Sequence, residues 1–402
     1  MRVRSTPSSR RRRWALFALM FTIGLGFASW VVRTPAIRDA VHASTSEMGL
    51  ILAGLSVGSM IGIVTASTLV PRRGTRPALQ LGAGALVAGL TLVALSPALG
   101  AGWSAFAGLC FYGAGLGLVE VALNVEASEV ERITARSALP IMHGCYSLGT
   151  FVGGLSGIAL NAANVPVALH LGVVTLVLAL VGAWSVAPVP HGTPAGRDEV
   201  AKDAARRASP SVWRDRRLLL LCIVLLGMAM AEGSAGDWLP LIVVEGFASS
   251  ATTGSIVYSL FGLAMAVGRF GGDRVVTRVG RVTAMRYSAA LGAVGIALVV
   301  LAPTLALAGV GVGLWGLGAA LGFPMAMAAA ADHPSDAARR VSAVSTAGYF
   351  AFLVGPPFIG VLGDHVGLRN AIVLVLVLVL AAGLAASSLR PTDRTPGALT
   401  ER

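Results

Sequence analysis

Among the ionisable side chains inside stretches apolar enough to cross a bilayer, four stand out by their spacing and surroundings. Glu120 and Asn124 are four residues apart, as are His143 and Ser147, a separation that puts each pair on one face of a helix. Residues 120 and 143 are equidistant from the connecting segment near Glu131 and Arg132, so an antiparallel hairpin would bring the carboxylate and the imidazole level. A buried Glu beside a His makes a reversible proton site near neutral pH; the competing reading is a hydrogen bond that clamps the hairpin. Further along, Glu232-Gly233-Ser234-Ala235-Gly236-Asp237-Trp238-Leu239-Pro240 is a run that a plain apolar helix would avoid. Glu232 would lie about 22 Å into the bilayer, counted from Arg217 at about 1.5 Å per residue, and glycines 233 and 236 with Pro240 are expected to loosen the helix around a cavity. Glu120, His143, Glu232 and Asp237 are therefore the candidates for proton coupling, although Glu232 and Asp237 would also suit a water-filled outer mouth.

Aromatic residues accompany them. Trp30, Tyr112, Trp238 and Trp315 each combine an apolar ring with a polar handle, which suits stacking against sugars, polyols or cations. With Arg33, Asn124 and Ser147 they form the candidate lining of a solute cavity. Their competing roles are interfacial anchoring for Trp30 and Trp238 and helix packing for Tyr112 and Trp315.

The elements that must position these groups are helices in lipid. Only 12% of the residues are charged, against about 25% in an ordinary soluble chain, and the mean hydropathy is +0.78. Apolar stretches of about 20 residues, the length that crosses a hydrocarbon core, fall at 14–33, 47–70, 78–96, 102–124, 138–160 and 165–187, and again at 217–243, 250–272, 283–302, 304–331, 338–362 and 368–389. The two sets repeat. Tyr112-Gly113-x-Gly115 is matched by Trp315-Gly316-x-Gly318, and Trp30 followed by Pro35 by Trp238 followed by Pro240. The expected fold is an all-α polytopic membrane protein with twelve transmembrane helices in two parallel six-helix repeats. Residues 1–190 and 217–402 form the bundles, joined by a polar linker at 191–216. Four-residue spacings such as Gly58 to Gly62 and Gly149 to Gly153 to Gly157 are read as close helix contacts.

Basic residues set the expected orientation. With the N-terminus in the cytoplasm, all 31 Lys and Arg except Arg33, Arg38 and Arg369 fall on that side, as the positive-inside bias requires. Both termini are then cytoplasmic in the inner membrane. The net charge of +12 is accounted for by topology and anionic lipid, without a nucleic-acid partner. The Arg10 to Arg13 run introduces a retained first helix rather than a cleaved signal. Cys110, Cys145 and Cys222 lie within spans without metal-ligand spacing and are assigned to packing. Lys202 is the one lysine, which removes a Gly-Lys-Ser/Thr phosphate loop within a span. No nucleophile, base and orienting group recur at usable spacing, so neither an enzyme nor a resident cofactor is expected. The chain reads as a monomeric secondary transporter, with a non-transporting receptor or scaffold as the other class.

The six-plus-six organisation resembles the major facilitator superfamily. Its hallmark loop after the second and eighth spans is matched in part by Arg72, Arg73, Gly74 and Arg76, where Pro71 stands and the acid is lost. In the second half it is matched with expanded spacing by Asp273, Arg274, Arg278, Gly280 and Arg281. That resemblance implies a cytoplasmic gate at these residues. The motifs around Glu120, His143 and Glu232 together resemble a bacterial branch that includes a rhizopine-type cyclitol transporter and is distantly similar to fucose permease. The resemblance implies alternating access about a site lined by spans one, four, seven and ten. The expected substrate is a sugar or cyclitol moved with a proton; the runner-up is export of a cationic amphiphile by proton antiport.

Overall fold

The computed structural model describes residues 7–134, 138–190, 215–332 and 337–391; the stretch assigned above to a linker therefore lies almost wholly outside the described residues. The helices run α1 (Pro7–Val31), α2 (Thr34–Ala40), α3 (Thr45–Arg73), α4 (Thr75–Leu99), α5 (Gly102–Thr134), α6 (Leu139–Ala162) and α7 (Val167–Val186) in the first half. The second half has α8 (Arg216–Gly246), α9 (Ala251–Val279), α10 (Arg281–Leu301), α11 (Leu305–Ala319), α12 (Gly322–Ala331), α13 (Ala337–Val366), α14 (Leu368–Ala371) and α15 (Val373–Ala385). Among the described residues eleven helical stretches are long and apolar enough to cross a membrane. The twelfth span is α6, which has the length at 24 residues but carries His143, Ser147, Thr150 and Asn161 on its polar positions. The fold is thus twelve transmembrane helices without strands among the described residues.

Local signals account for the boundaries. Ser44 accepts a hydrogen bond from the Glu47 amide at 3.2 Å while Glu47 accepts one from the Ser44 amide at 2.8 Å, a capping box that starts α3. Ser250 caps α9 by accepting from the Thr253 amide at 3.2 Å. Gly74 and Gly280 take φ of 85° and 78°, a region closed to most side chains, and each turns the chain from one span directly into the next. These are the two glycines of the hallmark loop. Pro324 lacks an amide for the carbonyl four residues back, and the tenth span is split there into α11 and α12 around residues 320 and 321. The first span ends at Val31, and Pro35 in its first turn opens the separate helix α2. By contrast α8 runs unbroken through Pro240, which corrects the expectation of a loosened helix at the Glu232 motif.

The repeat is visible in the packing. A Cβ at Gly113 would run into the Leu55 carbonyl on α3, and one at Gly316 into the Phe261 carbonyl on α9. Gly89 faces Gly108 and Tyr112, just as Gly295 faces Gly311 and Trp315. Gly58 and Gly62 on α3 lie against backbone of α5, and Gly149 and Gly153 on α6 against backbone of α1, the close contacts anticipated from their spacing, while Gly157 meets the Val32 side chain.

The two ends of the bundle differ. One end carries Arg12, Arg76, Arg217, Arg281 and Arg340; the other carries Arg33, Arg38 and Arg369. At the arginine-rich end ion pairs and hydrogen bonds tie each half to itself. Arg12 and Thr75 both reach the buried Glu126, while Arg281 grips Asp332 at 2.9 and 2.7 Å and Arg340 reaches Asp215 at 2.5 Å. Toward the arginine-poor end the halves are stitched together. Asp364 on α13 accepts from the amides of Thr45 and Ser46 on α3, both at 3.0 Å. Arg38 pairs with Glu245, Asn161 donates to Ser255 at 2.9 Å, and Ser56 donates to the Phe352 carbonyl at 2.7 Å.

Candidate functional site

Between the halves lies a cavity of about 910 Å³, large enough for a small solute. Helix α5 contributes Glu120, exposed to the lumen midway along its length. Helix α8 contributes Glu232 and Asp237, and α9 contributes Tyr258, Ser259 and Arg269. Helix α6 adds Tyr146, Ser147 and Thr150, and α3 adds Ser56 and Ser59. Aromatic wall comes from Phe27, Phe151, Phe261 and Phe352. The lining thus holds three carboxylates, one guanidinium and a set of hydroxyls on an apolar ground, which is the constitution of a site that orients a small polar molecule.

The carboxylates are held differently. Glu232 accepts from Arg269 at 2.7 Å, so the C-terminal wall carries an ion pair. Glu120 and Asp237 make no hydrogen bond or ion pair among the described residues. Asp237 lies five residues beyond Glu232 on α8, about 7.5 Å nearer the arginine-poor end at about 1.5 Å per residue.

His143 does not meet Glu120. Its Nε2 lies 3.2 Å from Asn124 Oδ1, one turn nearer the arginine-rich end, because α5 continues to Thr134 and the connection therefore falls later than the segment near Glu131. Ser147 donates to the His143 carbonyl at 3.3 Å and lines the cavity, whereas Asn124 and His143 stand beyond the lining residues.

The aromatic candidates are placed elsewhere. Trp30, Tyr112, Trp238 and Trp315 are fully buried between helices, and none is on the cavity wall. The Tyr112 hydroxyl donates to the Ile23 carbonyl at 3.0 Å, and the Trp315 indole to the Ala231 carbonyl at 3.0 Å. Ile23 precedes Trp30 by the same seven residues as Ala231 precedes Trp238, so the paired rings form one clamp used twice. Arg33 is also off the wall, buried against His170. Of the hallmark-loop residues, Arg76 donates to the Val189 carbonyl at 3.1 Å and Arg281 to Asp332, each within its own half. Arg72, Arg73, Arg274 and Arg278 are exposed, and the Asp273 side chain lies outside the described residues.

Arg269 is the cavity residue that sequence reasoning missed, having been counted among the topological arginines. Its position inside the stretch 250–272 was the available signal, since a charge at that depth needs a partner. Tyr146 and Tyr258 carried no comparable pattern.

A twelve-span bundle of two similar halves around a cavity with charged and hydroxyl groups on an apolar ground defines the class: a polytopic transporter. A family model described as Major Facilitator Superfamily matches residues 132–346, and the chain belongs to that superfamily. A second model, described as sugar (and other) transporter, matches residues 9–191. An uncharacterised MFS-type transporter of Yersinia pestis is 28% identical, with 91% of this chain and 92% of that one aligned. The membrane protein MosC of Rhizobium meliloti is 25% identical over 94% of this chain and 89% of its own. Among solved structures, the fucose:proton symporter FucP of E. coli superposes with a TM-score of 0.63 at 16% identity, covering 96% of this chain and all of that one. A bacterial homologue of the human lysosomal transporter Spinster gives 0.73 at 14% identity, covering 96% and 98%.

Proposed function

We propose that the protein is a proton-coupled transporter of a small polar solute of the sugar or cyclitol class, working by alternating access. The observation that carries this reading is the pair of unlike walls: a lone Glu120 on one half faces the Glu232–Arg269 pair on the other across a hydroxyl-lined cavity. Glu120 takes the proton, since a carboxylate without a fixed counter-charge changes state without breaking a protein contact. Arg269 with Glu232 supplies a donor and an acceptor to solute hydroxyls, and Asp237 holds the end of the solute nearest the stitched side. The bundles 1–190 and 217–402 are the moving bodies. The arginine-rich end faces the cytoplasm, so the cavity communicates with that side when the arginine-poor end is closed, and the gate residues Arg72, Arg73, Arg76, Arg274, Arg278 and Arg281 come together in the opposite state.

Electrical current from the purified protein in liposomes, challenged in turn with sugars, cyclitols and lipophilic cations, tests the reading. A pH-dependent inward current with a sugar or cyclitol supports it; current with none of them while a lipophilic cation is exchanged for protons contradicts it. That second outcome would establish the other reading, antiport of a cationic amphiphile, which the aromatic wall and the excess of carboxylates over arginine favour.

A further inference from the structure

We propose that Ser56 is a positioning residue that latches the arginine-poor end at the depth of the cavity, by supplying a hydrogen bond that Pro356 has removed from the opposite half. Pro356 and Pro357 lie inside α13, which stays helical through both. Proline has no amide for the carbonyl four residues back, so Pro356 leaves the Phe352 carbonyl without its helical partner and Pro357 does the same to Leu353. One turn of α13 thus lacks two successive bonds, beside the cavity wall to which Phe352 belongs. Helix α4 solves the same problem from within. There Pro97 strands the Val93 carbonyl, and the Ser96 hydroxyl, three residues on, donates to it at 2.8 Å. In α13 the corresponding position is Gly355, which has no hydroxyl to give. The donor comes instead from the other half: Ser56 on α3 reaches the Phe352 carbonyl at 2.7 Å.

The surroundings tie this bond to both the movement and the wall. Toward the arginine-poor end α3 and α13 run backbone against backbone: a Cβ at Gly49 would lie 2.6 Å from the Pro356 carbonyl oxygen, and one at Gly360 3.0 Å from the Gly49 Cα. On the cavity side the Phe352 ring rests on α8, its Cδ1 and Cε1 both 2.8 Å from where a Cβ at Gly233 would stand, next to Glu232. Ser56 stands about 16 Å deeper than the Asp364 contact, counted from Thr45 at about 1.5 Å per residue. Parting of the halves at this end must break the Ser56 bond and leave the Phe352 carbonyl to water, since a freed backbone group at membrane depth needs a protein partner or a wet cavity. A helical bond persists in both states of the cycle; this one belongs to the closed state alone. The inference rests on the proposed alternating access, and on neither the solute nor the proton.

The test is the labelling of Cys145, which lines the cavity, in the full chain in liposomes. Cys110 and Cys222 are replaced by serine, and a membrane-impermeant maleimide is added at the arginine-poor side. Ser56→Ala should label about fivefold faster than its parent, the ratio for a closed state that has lost one hydrogen bond of about 1 kcal/mol. Pro356→Ala returns an amide to the Phe352 carbonyl, so in that background Ser56→Ala should no longer change the rate, a coupling that mere packing at Ser56 would not produce. Gly355→Ser places a hydroxyl where Ser96 stands in α4, and its Cβ meets only the flexible end of Met230. It should make Ser56 dispensable in the same way, and it serves where Pro356→Ala does not fold. Equal labelling of Ser56→Ala and its parent overturns the latch, and so does an effect of Ser56→Ala that persists undiminished in these backgrounds. No labelling in any variant overturns alternating access itself, and the latch with it.

Discussion

The N-terminal wall of the cavity offers a carboxylate with nothing attached, and the C-terminal wall offers one already held. Glu120 meets no partner among the described residues, while Glu232 sits 2.7 Å from Arg269. A carboxylate that faces a cavity without an ion pair can gain or lose a proton without breaking a protein contact. A paired one keeps a fixed orientation. On the proposed reading the first wall senses the proton and the second reads the solute.

The largest break in this comparison should come from Glu120→Gln. Proton-driven accumulation should fall by about two orders of magnitude, the lower range for losing a proton-handling group, while exchange of labelled for unlabelled solute across the same liposomes persists. On the other wall Arg269→Gln leaves Glu232 alone and Glu232→Gln leaves Arg269 alone, so each should raise the half-saturating solute concentration by about tenfold. The double variant should do less than the product of the two, since residues in contact couple by about 0.5–3 kcal/mol; multiplicative losses would mean that the pair does not act as a unit.

The third prediction concerns the two ends. Asp364→Asn weakens the carboxylate that caps α3 from across the interface, and Arg38→Gln removes the ion pair with Glu245. Together they should populate the state open at the arginine-poor end. With Cys110 and Cys222 replaced by serine, a membrane-impermeant maleimide added on that side should label Cys145, which lines the cavity, several-fold faster. An unchanged rate would mean that these bonds do not hold the end shut. The smallest effect should come from the clamps. Tyr112→Phe and Trp315→Phe each remove one buried hydrogen bond, costing about 1 kcal/mol of stability, visible as a lower melting temperature with solute affinity unaltered.

Much of this molecule was legible in its residues, and the rest was lost for physical reasons. Span count, the repeat and the packing glycines follow from length and spacing, because lipid leaves the backbone only helices. Glu120, Glu232 and Asp237 stood out because charge is rare at depth. The aromatic candidates misled: a ring is as useful for packing inside a half, and for Tyr112 and Trp315 for bonding a carbonyl there, as for stacking on a solute, and spacing does not distinguish these roles. His143 was assigned one turn too deep because the hairpin register depends on where α5 ends. Arg269 was hidden among arginines whose number is set by topology. Asp364 and the amides it caps are more than 300 positions apart in sequence, a contact no local pattern announces.

The central claim is that Glu120 carries the proton that moves with the solute. The direct measurement is the pH change inside liposomes when a gradient of the transported solute is imposed without a pH gradient, for wild type and Glu120→Gln, with exchange of labelled solute confirming that both proteins are folded and active. The account predicts acidification that accompanies inward solute flow in the wild type and disappears in Glu120→Gln while exchange continues. Equal acidification in the two proteins would contradict it and remove Glu120 from the coupling mechanism.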